Sequence, residues 1–310
     1  MTCLKPVNQT KLYGLDKYFY ELINLYNTNN FPSKLLLSGQ KGVGKSTLAY
    51  HIINYVLTLN EKNNYDTQNL NIDIESHQFK TVINNSNTNL ISIDVNDDKK
   101  FIDINQIRDL IKELNKSSFN TKPRFVLIDN IELLNINSIN ALLKILEEPN
   151  KNIYFILIHN NKKIISTLLS RCINFKINLS NSECLKITNY LINDNLENII
   201  NKELINYYFT PGDIYNLIQF ANVNNYNLLD NDLRTFLYFL IDNGHYKKNQ
   251  FIINVISNLI ELYFRKLSSS FSKTISEKYS YFLKRISYTK IYNLDYESLF
   301  AEFKDEISNE

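Results

Sequence analysis

The residues best suited to chemistry lie in the segment GQKGVGKS, which matches the pattern GxxxxGK[ST] of phosphate-binding loops. Glycines let the backbone curl so that successive N–H groups point at a phosphate, and a following helix adds its positive end. In such a loop Lys45 reaches the outer phosphates and the Ser46 hydroxyl ligates Mg²⁺. The predicted nucleotide-binding residues are Gly39, Gln40, Lys41, Gly42, Val43, Gly44, Lys45, Ser46 and Thr47.

A second candidate residue, Asp129, ends the apolar run FVLID, which is typical of a buried strand. Its carboxylate can complete a Mg²⁺ site with Ser46, directly or through water, or it could simply cap the strand end. The next residue is Asn130, at the position where common ATPases carry a catalytic glutamate. An amide cannot accept a proton from an attacking water, so Asn130 cannot act as a general base in hydrolysis. Glu132 could substitute if the strand continued that far, or it could face solvent.

Apolar runs alternate with helical periodicity around these residues. Strands are predicted at 35–38, 90–95, 125–128, 154–159 and 172–177. Helices are predicted after the phosphate loop, at 103–114 with Asp103 as N-cap, and at 137–149, stopped by Pro149. This alternation predicts an α/β fold with a doubly wound parallel sheet, in which ligands bind beyond the carboxyl ends of the strands.

Other parts of the chain are less regular. Residues 60–89, with nine asparagines, are predicted as an irregular insertion with one short strand at 80–83. After the fourth strand, Asn160 or Asn161 could orient an attacking water or could be turn residues. From about residue 180 the pattern becomes helical.

Three stretches carry a resemblance to a known family: LLLSGQKGVGKSTLA, SINALLKILEEP and LLSRCINFKI. The chain resembles the AAA+ clamp-loader subunits of bacterial DNA polymerase III, most closely those of the delta-prime type. The resemblance implies an AAA+ P-loop domain at 1–179, a small helical lid domain at 180–225 and an all-helical collar domain at 226–310 that oligomerises.

The resemblance also implies a role for Arg171, in the sequence SRC. In ring-like loaders this arginine reaches into the nucleotide site of a neighbouring subunit. Phosphoryl transfer spreads charge over the transferred oxygens, and an arginine finger that neutralises it contributes roughly 10³–10⁵ in rate. Alternatively, Arg171 could cap the carbonyls of the preceding helix or pair with a surface carboxylate.

Departures from the family pattern weigh against an independent hydrolase. Asn130 stands where gamma/tau-type ATPase subunits carry glutamate. Asp213, in FTPGDIYNLI, stands where relatives often have a basic residue; it would repel a triphosphate or cap a helix. The cysteine-clustered zinc module that the family often carries before the second strand is absent, so no zinc site is expected.

These observations predict a delta-prime-like stator in a hetero-oligomeric clamp loader. It would help load the sliding clamp on primed DNA, donate Arg171 to a neighbour, and have weak or absent ATPase activity of its own within the polymerase holoenzyme. ATP and Mg²⁺ are its expected cofactors. The alternative is a catalytically active gamma/tau-like subunit, which the set Lys45, Ser46 and Asp129 would support.

The net charge, the basic residues and the cysteines of the chain indicate which partners and which compartment to expect. The net charge of +2 gives no strong footprint for nucleic acid, which argues against a DNA-binding module acting alone. A local basic set could still contact DNA: Lys99, Lys100, Lys112, Lys116, Lys122 and Arg124. Expected partners are other clamp-loader subunits, primer–template DNA through the complex, and the sliding clamp. Three cysteines without paired spacing, no signal-like segment and no membrane-length apolar run predict a cytoplasmic protein.

Overall fold

The structure is a computed structural model that describes residues 4–96, 99–116, 120–147, 152–160, 166–205, 209–247, 249–267 and 273–308. The chain divides into two compact units. Unit 1 comprises residues 1–190 together with Thr210–Gly212, and unit 2 comprises Leu191–Phe209 and residues 213–310.

Unit 1 contains five strands with helices between them, and only the last two residues of its final helix belong to unit 2. In chain order they are α1 (Asp16–Asn27), β1 (Lys34–Ser38), α2 (Lys45–Thr58), α3 (His77–Ile83), β2 (Leu90–Ile93), α4 (Ile104–Leu114), β3 (Arg124–Ile128), α5 (Ile136–Glu147), β4 (Ile153–His159), α6 (Ser166–Leu169), β5 (Ile173–Lys176) and α7 (Asn181–Ile192). The five strands form one parallel sheet in the order β2-β3-β4-β1-β5.

The register of the sheet brings the functional loops to one edge. Ser38, the last residue of β1, lies opposite His159, the last residue of β4, and Ile128 at the end of β3 lies opposite Leu157. The segments that follow these three strands therefore emerge side by side, at the carboxyl edge where ligands bind in such sheets.

Alternate strand residues feed two hydrophobic clusters, one for each face of the sheet. Leu35 and Leu37 of β1 pack into one cluster with residues of α1 and α2, whereas Leu36 packs into the other with residues of α4 and α5. Helices thus cover both faces, and the predicted doubly wound α/β fold is confirmed.

The predicted short strand at 80–83 is wrong, because these residues form the last part of helix α3. Phe79 and Val82 are buried and three residues apart, which places them on one face of a helix. In contrast, the predicted N-cap of α4 is confirmed: Asp103 Oδ1 accepts from the backbone N–H groups of Asn105 (2.9 Å) and Gln106 (3.2 Å). The Gln106 side chain accepts in return from the Asp103 N–H at 3.1 Å.

Unit 2 is helical in its described residues. Most of α8 (Pro211–Val223) belongs to it, with α9 (Leu233–Asp242), α10 (Gln250–Leu267), α11 (Lys273–Tyr292) and α12 (Tyr296–Ser308). One hydrophobic cluster runs from Leu196 to Ile307 and includes the fully buried Phe236, Phe300 and Phe303. Residues of both predicted helical domains, 180–225 and 226–310, contribute to this cluster, and the boundary between those domains stays a prediction. None of the described helices has the length and apolar character that a bilayer crossing requires.

Candidate nucleotide site and the surroundings of Arg171

The phosphate loop runs between β1 and α2, as predicted. Gly42 and Gly44 have φ values of 86° and 92°, in the left-handed region that side chains rarely adopt. A Cβ on Gly42 would also lie 2.2 Å from Oγ1 of Thr210. The N–H of Gly212 donates to the Gly42 carbonyl at 3.0 Å, so the segment Thr210–Gly212 packs directly on the loop. No sequence pattern predicts this contact, because Gly42 and Gly212 are 170 residues apart along the chain.

Lys45, the first residue of α2, is only 3% exposed. Its Nζ donates to the carbonyl oxygens of Gly39 (3.0 Å) and Gln40 (2.5 Å), so the ammonium lies inside the curl of the loop. Burial lowers the pKa of Lys45 to about 8, and the nearby carboxylates of Asp129 and Glu132 partly oppose this. The side chain therefore remains mostly charged at neutral pH, as phosphate binding requires.

Ser46 and Asp129 meet across the loop, since the Ser46 hydroxyl donates to Asp129 Oδ2. Burial raises the pKa of Asp129, and the hydrogen bond from Ser46 opposes that rise. A hydroxyl and a carboxylate are oxygen ligands of the kind that Mg²⁺ takes, so this pair fits the predicted metal site. Within the described ranges, no group of three or more His, Cys, Asp or Glu could hold a metal ion. In phosphate-loop proteins the bound nucleotide's phosphate oxygens also contact the Mg²⁺ ion.

Asn130 leaves the strand geometry at once. Its φ of 53° and ψ of 47° are left-handed, which asparagine tolerates, and residues Ile131–Leu133 form a 3₁₀ turn. Its side-chain nitrogen donates to Asp94 Oδ1 at 2.7 Å, and its side-chain oxygen accepts from Asn160 Nδ2 at 2.9 Å. Both polar atoms of the amide are engaged. Asp94 was missed by the sequence analysis, although a carboxylate directly after the apolar run of β2 was a usable signal.

The Glu132 carboxylate contacts Asn160, although Glu132 does not lie on a continued strand. Strand β3 ends at Ile128, so the condition under which Glu132 could substitute for a base is not met. The 3₁₀ turn instead brings its carboxylate to Asn160, whose Nδ2 and backbone N–H donate to Oε1 (3.0 Å) and Oε2 (3.3 Å). Asn160 is thus held between Glu132 and Asn130. The other predicted candidate at this turn, Asn161, lies outside the described residues.

Asp213 is not a helix N-cap, because α8 already begins at Pro211 and Asp213 lies in its first turn. A carboxylate in the first turn still interacts favourably with the positive end of the helix.

Arg171 lies between α6 and β5 and makes both of the alternative contacts considered from the sequence. Its Nε and Nη2 donate to Oε1 of Glu147 at 3.0 and 2.5 Å, and its Nη1 donates to the carbonyl of Thr167 at 2.8 Å. Glu147 is the last residue of α5 in the described chain. The role of Arg171 toward a neighbouring subunit stays a prediction.

The predicted basic set is largely paired within the chain. Lys99, Lys112 and Lys116 pair with carboxylates three or four residues away. Lys122 pairs with Glu61, and Arg124 donates to backbone carbonyls near the end of α4. A role for these residues in DNA binding stays a prediction.

Comparison with known proteins places the chain in a family. A family model described as "DNA polymerase III, delta subunit" matches residues 14–181, more than half of the chain. The gamma/tau subunit of DNA polymerase III from Mycoplasma genitalium is 29% identical over 65% of this chain and 31% of its own length. The delta' subunit from Buchnera aphidicola subsp. Baizongia pistaciae is 32% identical over 51% of this chain and 48% of its own length. The chain thus matches less than half the length of these curated relatives.

A solved structure extends the likeness beyond the first domain. A DNA polymerase III gamma subunit-related protein from Thermotoga maritima aligns with 92% of this chain and 98% of its own, with a TM-score of 0.51 and 16% identity. At that identity the likeness shows the fold: a parallel sheet with flanking helices, followed by a helical region. The chain therefore belongs to the DNA polymerase III delta-subunit family, and its resemblance to clamp-loader subunits of the delta-prime type is confirmed.

Proposed function

We propose that this protein is a delta-prime-like stator of the DNA polymerase III clamp loader. It helps to load the sliding clamp on primed DNA and donates Arg171 to the nucleotide site of a neighbouring ATPase subunit. Its partners are the other loader subunits in the cytoplasm, and it meets primer–template DNA through the complex. Its family membership and its delta' relatives support this assignment.

One observation carries the proposal: the chain keeps a complete phosphate cradle, but the residue after Asp129 is an amide whose two polar atoms are both engaged. Asn130 has no group that can take a proton from water. Lys45, Ser46 and Asp129 would hold ATP and Mg²⁺. Bound nucleotide would then stabilise the subunit without being turned over quickly, while hydrolysis takes place at the neighbouring site that Arg171 serves.

Steady-state ATP hydrolysis tests this division of roles. The isolated chain should show negligible turnover. In a complex assembled with gamma/tau-type and delta-type subunits from the same source, Arg171→Ala should lower the turnover of the site it serves by roughly 10³-fold or more. Arg108→Ala, at an exposed position of α4, is the matched control and should leave the rate unchanged. Robust turnover by the isolated chain, or a complex indifferent to Arg171→Ala, contradicts the proposal.

A specific contact favours a second candidate function, that of an active gamma/tau-like ATPase. The Glu132 carboxylate is held by Asn160 and is close enough to Lys45 to influence its pKa. A carboxylate there could act as the general base that Asn130 cannot be. If the isolated chain hydrolyses ATP and Glu132→Gln removes that activity while Glu113→Gln does not, the second function is the correct one.

A further inference from the structure

We propose that Glu147 is a positioning residue for Arg171: together with the carbonyl of Thr167, it fixes the guanidinium so that its remaining donors are ready for a phosphate. This inference rests on the proposed donation of Arg171 to a neighbouring site. It adds a residue whose part in that donation follows from the contacts in this chain.

The guanidinium of Arg171 has more donors than its contacts in this chain use. Arginine has five N–H donors in a rigid planar fork. Glu147 takes one from Nε and one from Nη2, and the Thr167 carbonyl takes one from Nη1. Among the contacts between described residues, one N–H remains on each terminal nitrogen. One N–H from each terminal nitrogen can bind an oxyanion in bidentate geometry, so the three contacts hold the side chain and leave donors for a phosphate.

The elements on both sides of this contact are anchored in the same core. Leu168 of α6 and Leu146 of α5 are both 2% exposed or less and belong to one hydrophobic cluster. The backbone of Arg171 is also held, since its N–H donates to the Leu168 carbonyl at 3.2 Å. Functional groups are positioned most accurately when rigid elements and hydrogen-bond partners support them. Glu147 ends a helix anchored in this core, and Arg171 lies two residues after a short helix anchored there.

Orientation should outweigh charge in this pair. A nearby carboxylate reduces the attraction of the guanidinium for phosphate, which would make Glu147 inhibitory. However, the Glu147 and Arg171 side chains are 55% and 33% exposed in the isolated chain, so solvent screens the charge of the pair before a neighbour binds. Fixing a long side chain before binding removes the ordering cost that it would otherwise meet in the transition state. Losing Glu147 should therefore slow the neighbouring site.

The test uses the full chain in the assembled loader, with ATP turnover as the readout. Glu147→Ala should lower kcat about tenfold with the KM for ATP unchanged, because a misplaced catalytic group is felt mainly in the transition state. Glu147→Gln keeps an oxygen that accepts the same N–H groups, so it should retain most of the activity. In an Arg171→Ala background, Glu147→Ala should have no further effect.

Glu113→Ala is the control, since this exposed glutamate also lies near a helix end and pairs with a cation, Lys116. Assembly and thermal unfolding of each variant show whether the chain still folds. The inference is overturned if Glu147→Ala leaves kcat unchanged or raises it, or if Glu147→Gln is as slow as Glu147→Ala while Arg171→Ala remains damaging. If Arg171→Ala itself has no effect, the proposed donation fails, and the inference fails with it.

Discussion

Acid should destabilise unit 1 through one buried histidine, His51 of α2. This side chain is 0% exposed. Its Nε2 lies 3.0 Å from the Gln9 carbonyl and its Nδ1 lies 2.7 Å from the Tyr65 hydroxyl. Because a carbonyl only accepts, Nε2 carries the proton and Nδ1 accepts from Tyr65. Protonating Nδ1 would break that hydrogen bond and place a charge in the buried core.

The size of the effect follows from the pKa. Burial lowers the pKa of His51 to about 4, against an ordinary value of 6.5. Between these pH values His51 binds a proton in the unfolded chain but not in the folded chain. Its contribution to the free energy of unfolding is therefore fully present above pH 6.5 and is lost as the pH falls toward 4. From pH 7.5 to pH 5 the linkage relation gives a loss of about 2 kcal/mol for this group.

Urea unfolding followed by circular dichroism at pH 7.5 and pH 5 measures this loss. His51→Gln should be less stable at pH 7.5, because its packing is poorer, but should show about 2 kcal/mol less dependence on pH over this interval. His77→Gln, at an exposed position of α3, should keep the wild-type dependence. If wild type and His51→Gln lose the same stability between the two pH values, the assigned protonation of His51 is wrong.

Three further predictions concern the phosphate loop and a thiol. Gly42→Ala should destabilise unit 1 by about 1–3 kcal/mol and weaken ATP binding. The control Gly244→Ala, at a positive φ of 61° but with its nearest neighbour at 3.4 Å, should lower stability less. Equal melting temperatures for the two variants would refute the clash with Thr210. Lys45→Ala should abolish binding of labelled ATP at concentrations that saturate the wild type, and unchanged binding would remove Lys45 from the site. Burial raises the pKa of Cys172 to about 11, so peptide mapping after iodoacetamide treatment should find it slow to react at pH 8; rapid labelling there would contradict its burial.

The parts of the molecule that were predictable depend on neighbours in the sequence. The motif from Gly39 to Ser46 predicts a strand before it and a helix after it. Strands such as β3 are buried on both faces of the sheet, so they can be recognised as apolar runs. Asp103 was recognisable as a cap since its partners lie two and three residues away. In parallel sheets such strands end at a common edge, so Asp129 and Asn160 could be expected to lie close to the loop.

The parts that were not predictable depend on contacts between distant residues or on single backbone angles. The left-handed conformation of Asn130 ends the strand, and this turn rather than a continued strand brings Glu132 to Asn160. Arg171 and Glu147 are 24 residues apart, and only the packing of α5 and α6 makes them partners. Residues 80–83 form a helix rather than the predicted strand, and four residues are too few to separate a helical period from an alternating one.

The central claim is that Arg171 acts across a subunit boundary, and a structure of the assembled loader with a non-hydrolysable ATP analogue tests it most directly. The account predicts that the terminal nitrogens of Arg171 lie about 3 Å from phosphate oxygens bound to the adjacent subunit, with Glu147 still holding the other edge of the guanidinium. A guanidinium that points away from every neighbouring nucleotide pocket in that structure would contradict the account.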